Sequence, residues 1–179
     1  MSGLYLIDIE PHVDARGFFA RSFCRREFIE HELHGDFVQC NLSHNRLLGT
    51  LRGMHYRRPP HDEVKLVRCT AGAVYDVVVD LRSQSSTFMQ YYGIELTAES
   101  RQMLYIPVGF AHGFLTLRDD TEVFYQMGDY YQPDAEEGFC WNDFAFQIDW
   151  PTTPIVMSQR DASYEDFDPV RLQEMFTYD

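Results

Sequence analysis

VKLVRCTAGAVYDVVVDL, residues 64–81, reads as two apolar strands on either side of a glycine. Neither strand has an ordinary core pattern. In the second, Val74, Asp76, Val78 and Asp80 alternate against Ala73, Tyr75, Val77 and Val79, so one face mixes valine with two carboxylates. In the first, Lys65 is flanked by Val64, Leu66 and Val67, and it is the only lysine in the chain. A buried ammonium is costly unless its charge is paired or used. The plainer alternative is a lysine on the solvent face of an edge strand.

Similar short runs lie to both sides: LYLIDI, DFVQCNLS, QYYGIEL, QMLYIP, GFLTL, EVFYQMGDYY and FQIDW, with Gly, Pro, Asp and Asn between them. Many short strands at fairly regular spacing predict an all-β sandwich or barrel. Two short helices are expected, one within 24–33 and one over 169–176, where Asp168 and Pro169 form an N-cap and N1 pair. No linker or repeat interrupts the 179 residues, which fit one domain spanning 1–179 with a sizeable core. Aromatic residues make up 15% of the chain, which suits β-structure around a wide interior.

The formal net charge of −13 argues against nucleic acid or an anionic membrane as partner, since both need basic surface. It leaves room for a small anionic ligand held by local arginines, and basic residues gather near 46–68 while acidic ones collect late. The N-terminal residues lack a basic segment followed by an apolar one, and no apolar run reaches membrane-spanning length. The four cysteines lie far apart without a CxxC, as expected of reduced thiols in a cytoplasmic protein.

The stretch LRGMHYRRPPHDEVKLVR (51–68) brings the chemistry together. His55 and, further on, His112 in PVGFAHGF sit in strand-like surroundings, unlike the other five histidines. Each alone reads most simply as a buried, hydrogen-bonded histidine; two on separate strands of a small barrel point to a shared site. A metal is one alternative. Metal-binding barrels often use an HxH pair, but position 57 is Arg57, which ligates no metal and repels cations. The other alternative is metal-free acid–base chemistry, with His55 as base and a cation for a developing oxyanion. Arg52 has the fork to clamp a phosphate.

At these residues the chain resembles the dTDP-4-dehydrorhamnose 3,5-epimerase family. DARGFFARSF, QCNLS, LRGMHYRRPP, KLVRCTAGAVYDVVVDLR, LYIPVGFAHGF, FYQMGDYYQPDAEEGFCWND and IDWP occur in that order between about residues 4 and 162. The resemblance implies a double-stranded β-helix (a cupin-type jelly roll with a few short helices), acting as a homodimer without metal or cofactor. It implies a nucleotide-linked 4-keto-6-deoxy sugar whose protons alpha to the C4 ketone, at C3, C5 or both, are removed and returned on the opposite face. It implies His55 as base, Asp161 as its dyad partner, Lys65 at the enolate oxygen O4 and Tyr125 as the opposing acid. Arg52 then contacts the diphosphate, His112 and Asp76 line the pocket, and Tyr131 stacks on the base. Phe19, Gln39, Asn41, Arg21, Arg57 and Arg160 complete the substrate-binding set, some of them given by a partner subunit. N-terminal strands are expected at the dimer contact, and the C-terminal helix on the barrel.

Two positions depart from the family pattern. The usual HYQ reads His55-Tyr56-Arg57 here, and the usual RGFFxE ends in Arg21. These extra cations raise the alternative of another nucleotide, CDP or GDP, or another sugar, or a C3-only or C5-only enzyme. A non-catalytic sugar-binding jelly roll is a further alternative; it predicts gaps in the acid–base set, and none is visible.

Overall fold

The structure, a computed structural model, describes residues 1–169. Two five-stranded antiparallel sheets face each other. The first has the order β1 (Tyr5–Ile7), β9 (Met103–Ile106), β6 (Lys65–Ala71), β11 (Thr121–Met127), β4 (Gln39–Asn45). The second runs β12 (Glu136–Gly138), β5 (Leu51–Arg57), β10 (Phe110–Thr116), β7 (Ala73–Asp80), β8 (Tyr91–Thr97). A small hairpin, β2 (His12–Asp14) and β3 (Gly17–Phe19), stands apart. Helix is confined to α1 (Arg25–Glu30), a 3₁₀ turn at Pro133–Ala135 and α2 (Gln159–Ala162). The helix expected over 169–176 lies outside the described residues, save Pro169 itself.

Residues 64–81 join the two sheets. β6 and β7 are consecutive but lie in different sheets, and the chain turns the corner at Gly72. Its φ is +73° and a Cβ there would meet the Thr121 hydroxyl at 2.3 Å, so only glycine fits. β7 is buried on both faces, and β6 at Leu66, Val67 and Cys69, while Thr70 near its end is exposed. Val67 and Cys69 of β6 and Val74 and Val78 of β7 meet Leu104, Ile106, Phe114 and Val123 between the sheets. On the outer side of the second sheet, Val77 and Val79 pack with Met54, Phe139 and Phe146. On the outer side of the first sheet, Leu66 packs with Phe28, Tyr105 and the segment around Phe23 and Phe37.

Strand alternation then puts Lys65 and Asp76 on the inter-sheet side, with Val67 and Val74. The edge-strand alternative for Lys65 falls, because β6 is paired on both sides, by β9 and β11. The expected strand FQIDW is absent: residues 146–150 form turns and loop covering the second sheet, where Phe146 packs on Phe139 at 4.5 Å between ring centroids. Its alternation is that of a loop pinned by aromatic anchors. The hairpin β2–β3 gives little periodic signal, since each strand has three residues and all are exposed.

Candidate active site

One end of the inter-sheet space opens into a cavity of about 760 Å³. Its first wall is Gln39, Asn41 and Ser43 of β4, Lys65 of β6 and Tyr125 of β11. The opposite wall is Arg52, His55 and Arg57 of β5 with His112 and Phe114 of β10. Tyr131, Glu136, Ser158, Arg160 and Asp161 close the rim. Twelve of the fourteen side chains expected at the site from the sequence are thereby near it or behind it; Phe19 and Arg21 are not.

His55 and Arg52 lie three residues apart, so a regular strand would point them to opposite faces. A bulge brings them together. On β10, His112 pairs with His55 and Phe114 with Arg52, so one residue of β10, Gly113, opposes two of β5, Gly53 and Met54. Gly53 sits in the bulge with φ +125°, and a Cβ there would come within 2.6 Å of the Gly113 Cα. Arg52 is then oriented by donating its Nε–H to Asn45 Oδ1 at 2.8 Å, which leaves its terminal nitrogens for a ligand.

His55 Nε2 donates to Asp161 Oδ1 at 2.7 Å, so the ring's lone pair rests on Nδ1. Asp161 is buried at the start of α2, where its backbone N–H donates to the N-cap hydroxyl of Ser158 at 3.0 Å. Burial pushes the Asp161 carboxyl up. The hydrogen bond and charge of His55, with support from Ser158 and the Gly53 N–H, outweigh this and hold it below the usual carboxylate value. Ser158 was legible: SQRD has the spacing of a helix cap.

A second imidazole stands beside the first. His112, cross-strand partner of His55, has Nε2 3.0 Å from both oxygens of Asp76. Asp76 is fully buried, so it does not line the pocket as expected; it sits behind His112 and orients it. This accounts for one carboxylate of the mixed β7 face. The other, Asp80, lies at the strand end and is held by Arg82, Ser85 and Thr87.

Tyr125 faces the cavity from the other sheet. Burial lifts its phenol above the ordinary value, and the attraction of Arg52 only partly offsets this. The easing of proton release by a nearby cation is therefore the smaller effect, and the phenol stays protonated in the resting site. Lys65, with 15% of its side chain exposed, lies 3.4 Å from Glu63 Oε1. Glu63 was not foreseen. It lies in the stretch 51–68, two residues before the lysine and on the same strand parity.

At the rim, Gln39 Oε1 accepts from the Tyr131 N–H at 2.9 Å, placing the Tyr131 ring at the mouth. Arg160 pairs with Glu136 at 2.7 Å and lies over the Tyr164 ring. Tyr164, also unforeseen, packs edge-on against His55 at 5.9 Å between centroids. The two departures from the family pattern are both paired within the chain. Arg57 turns inward onto Glu63 at 2.8 Å, each side chain 4% exposed, whereas Arg21 pairs with Glu27 of α1 at the surface. Arg57 offers no spare cation for a different nucleotide. Among the described residues, no three His, Cys, Asp or Glu side chains converge as metal ligands.

The family model described as dTDP-4-dehydrorhamnose 3,5-epimerase matches residues 1–168. The chain belongs to that family. It is accordingly an isomerase that epimerises a dTDP-linked 4-keto-6-deoxy sugar at C3 and C5 in deoxysugar biosynthesis. The dTDP-4-dehydrorhamnose 3,5-epimerase of Escherichia coli K12 is 46% identical over 158 residues, covering 86% of this chain and 84% of its own. Among solved structures, the Bacillus anthracis enzyme, with TDP and PPi bound, superposes with a TM-score of 0.90 at 37% identity, over 93% of this chain and 95% of that one. The Legionella pneumophila enzyme, in complex with dTDP-4-keto-L-rhamnose, does so with 0.90 at 35% identity, over 100% and 95%. The double-stranded β-helix implied by the motifs is thus the fold of the enzyme. None of its described helices is long and apolar enough to cross a membrane.

Proposed function

We propose that His55 removes the proton alpha to the C4 ketone, with Asp161 holding the imidazole in its Nε2–H tautomer and steadying the imidazolium. Lys65 holds the enolate charge on O4, which makes the neighbouring carbon acid accessible. Tyr125, protonated and on the opposing wall, returns a proton to the other face. Each round leaves His55 protonated and Tyr125 as phenolate; exchange with solvent takes the proton from His55 and returns one to Tyr125, so that two rounds, at C3 and C5, convert the sugar. His112, fixed by Asp76, supports the sugar beside His55. Arg52 takes the diphosphate, and Tyr131 stacks on the base with Gln39 and Asn41 around it.

The observation that carries this reading is the opposition of the two walls: the base pair His55–Asp161 belongs to one sheet and α2, the acid Tyr125 and the cation Lys65 to the other sheet. Inversion needs donor and acceptor on opposite faces of one carbon, and a two-sheet cleft supplies them.

Phe19 and Arg21 stand on and after the projecting β2–β3 hairpin, away from the cleft of their own chain, with Phe19 75% exposed. This favours a homodimer of single-domain chains in which the hairpin serves the partner's nucleotide site. The ligands of the Bacillus and Legionella relatives favour thymidine as the base. Four unpaired cysteines suit a cytoplasmic enzyme. A turnover panel of dTDP-, CDP-, GDP- and UDP-4-keto-6-deoxyglucose tests the substrate. Highest kcat/KM on the dTDP sugar is expected, and preference for another nucleotide would overturn it.

A further inference from the structure

Arg57 stands where the family pattern has glutamine, and it is almost wholly buried. Its Nη1 lies 2.8 Å from Glu63 Oε2 and donates to the Tyr130 carbonyl at 2.9 Å, with Asp129 at 4.0 Å. Its guanidinium also lies 5.9 Å over the Tyr131 ring. So anchored, it stands in the cleft wall with Nη1 committed to Glu63 and the Tyr130 carbonyl. Glu63 has a second cation, Lys65, on its other oxygen, but at 3.4 Å. Charge-assisted N–H···O contacts close to about 2.7–2.9 Å when they are made in full. The carboxylate is therefore shared between two cations: the arginine contact is the shorter, but it is an ion pair that leaves Glu63 Oε2 without a full hydrogen bond, and lysine pulls on the other oxygen.

We propose that Arg57 is a positioning residue for catalysis: by sharing the charge of Glu63, it keeps Lys65 from being that carboxylate's sole counter-ion and leaves the ammonium available to O4 of the substrate. Two cations on one buried carboxylate leave a net positive charge at the cavity wall, where an enolate oxygen forms. Glutamine at position 57 would carry no charge, and Lys65 would become the sole counter-ion of Glu63. A compact, rotatable ammonium would then close onto the carboxylate and turn its donors away from the cleft. Breaking a buried pair by removing one partner forces such a compensation. Burial already tends to lift the Glu63 carboxyl, against the pull of Lys65 and Arg57, so the site depends on its cations. Arginine at 57 and glutamate at 63 thus act as one unit.

This inference rests on the role given to Lys65, and Lys65→Met is the control that separates the two. If Lys65→Met keeps wild-type kcat, the role of Lys65 fails and the inference with it. If Lys65→Met is inactive, Arg57→Gln decides. Its kcat is expected to fall on the order of tenfold or more, a fraction of the loss seen when an oxyanion donor is deleted outright. KM should change little, because Arg57 does not touch the ligand. The double variant Arg57→Gln/Glu63→Gln removes both charges and should return kcat to within about threefold of wild type, since Lys65 is again free. Three results would overturn the proposal: unchanged kcat in Arg57→Gln, a rise in KM alone, or a folded double variant that stays slow. Should Arg57→Gln not fold, the neutral double variant carries the test alone, with near wild-type kcat supporting the proposal and a loss of about tenfold or more contradicting it.

Discussion

A few residues in this enzyme are held by more hydrogen bonds than their surroundings would require, and Asp80 is the clearest. Burial pushes its carboxyl up, but donors from Arg82, Ser85 and Thr87 prevail and hold it at about 2, against an ordinary 3.8. Because the folded value is depressed, the stabilisation is fully present above the unfolded value and is lost as pH falls through the folded one. A shift of that size corresponds to about 2 kcal/mol. Asp80→Asn should lower urea-unfolding stability by about that amount near neutral pH and flatten the decline that wild type shows between about pH 4 and 2. Equal stability of the two proteins near neutral pH would contradict the assignment. The same residue shows what a sequence can reveal about a site: a carboxylate on a valine face was visible as an anomaly, but its partners, two to seven residues on in a loop, carry no periodicity. Asp76 was visible in the same way, and only the fold could show that it serves His112 from behind. Glu63 and Tyr164 were missed because neither breaks a local pattern; their meaning comes entirely from what the fold places against them.

Strand positions and the corner at Gly72 follow from alternation and turn chemistry, which is why most elements were legible beforehand, although their order in the sheets was not. The decisive irregularity was less so. Arg52 and His55 share a face only because the β5–β10 register slips by one residue at Gly53. Alternation is a regular rule and cannot announce its own exception, although a glycine inside a strand is a hint of one. Gly53→Ala would set a Cβ 2.6 Å from the Gly113 Cα and 3.0 Å from the His112 carbonyl, at a backbone angle that alanine avoids. The backbone must shift, so stability should fall by about 2 kcal/mol or more, with kcat/KM falling as Arg52 and His55 lose their common face. Thermal melts and steady-state rates read the two effects. A variant matching wild type in both would show that the bulge does not set the site. FQIDW failed for the opposite reason: alternating apolar residues there anchor a loop to the second sheet, and periodicity alone cannot tell such anchors from strand positions.

At the scale of the whole molecule, the cleft is a consequence of two sheets meeting at one open end. In the proposed mechanism each wall supplies one half of an acid–base pair, and neither sheet alone could invert a carbon centre. The ordered motifs made the family legible along almost the whole chain, because a nucleotide-sugar site draws residues from nearly every strand. The proposed homodimer comes only from that resemblance, since an exposed hairpin has the same sequence signature whether or not a partner covers it. The account stands on the base and the acid working from opposite walls. Proton NMR of dTDP-4-keto-6-deoxyglucose in deuterium oxide, with wild type, His55→Asn and Tyr125→Phe, tests this most directly. Wild type should place deuterium at C3 and C5 with inversion. Tyr125→Phe should still exchange, with configuration retained, and His55→Asn should slow exchange at both carbons by about 10²–10⁴-fold. Deuterium entering C3 and C5 at the wild-type rate in His55→Asn would contradict the account.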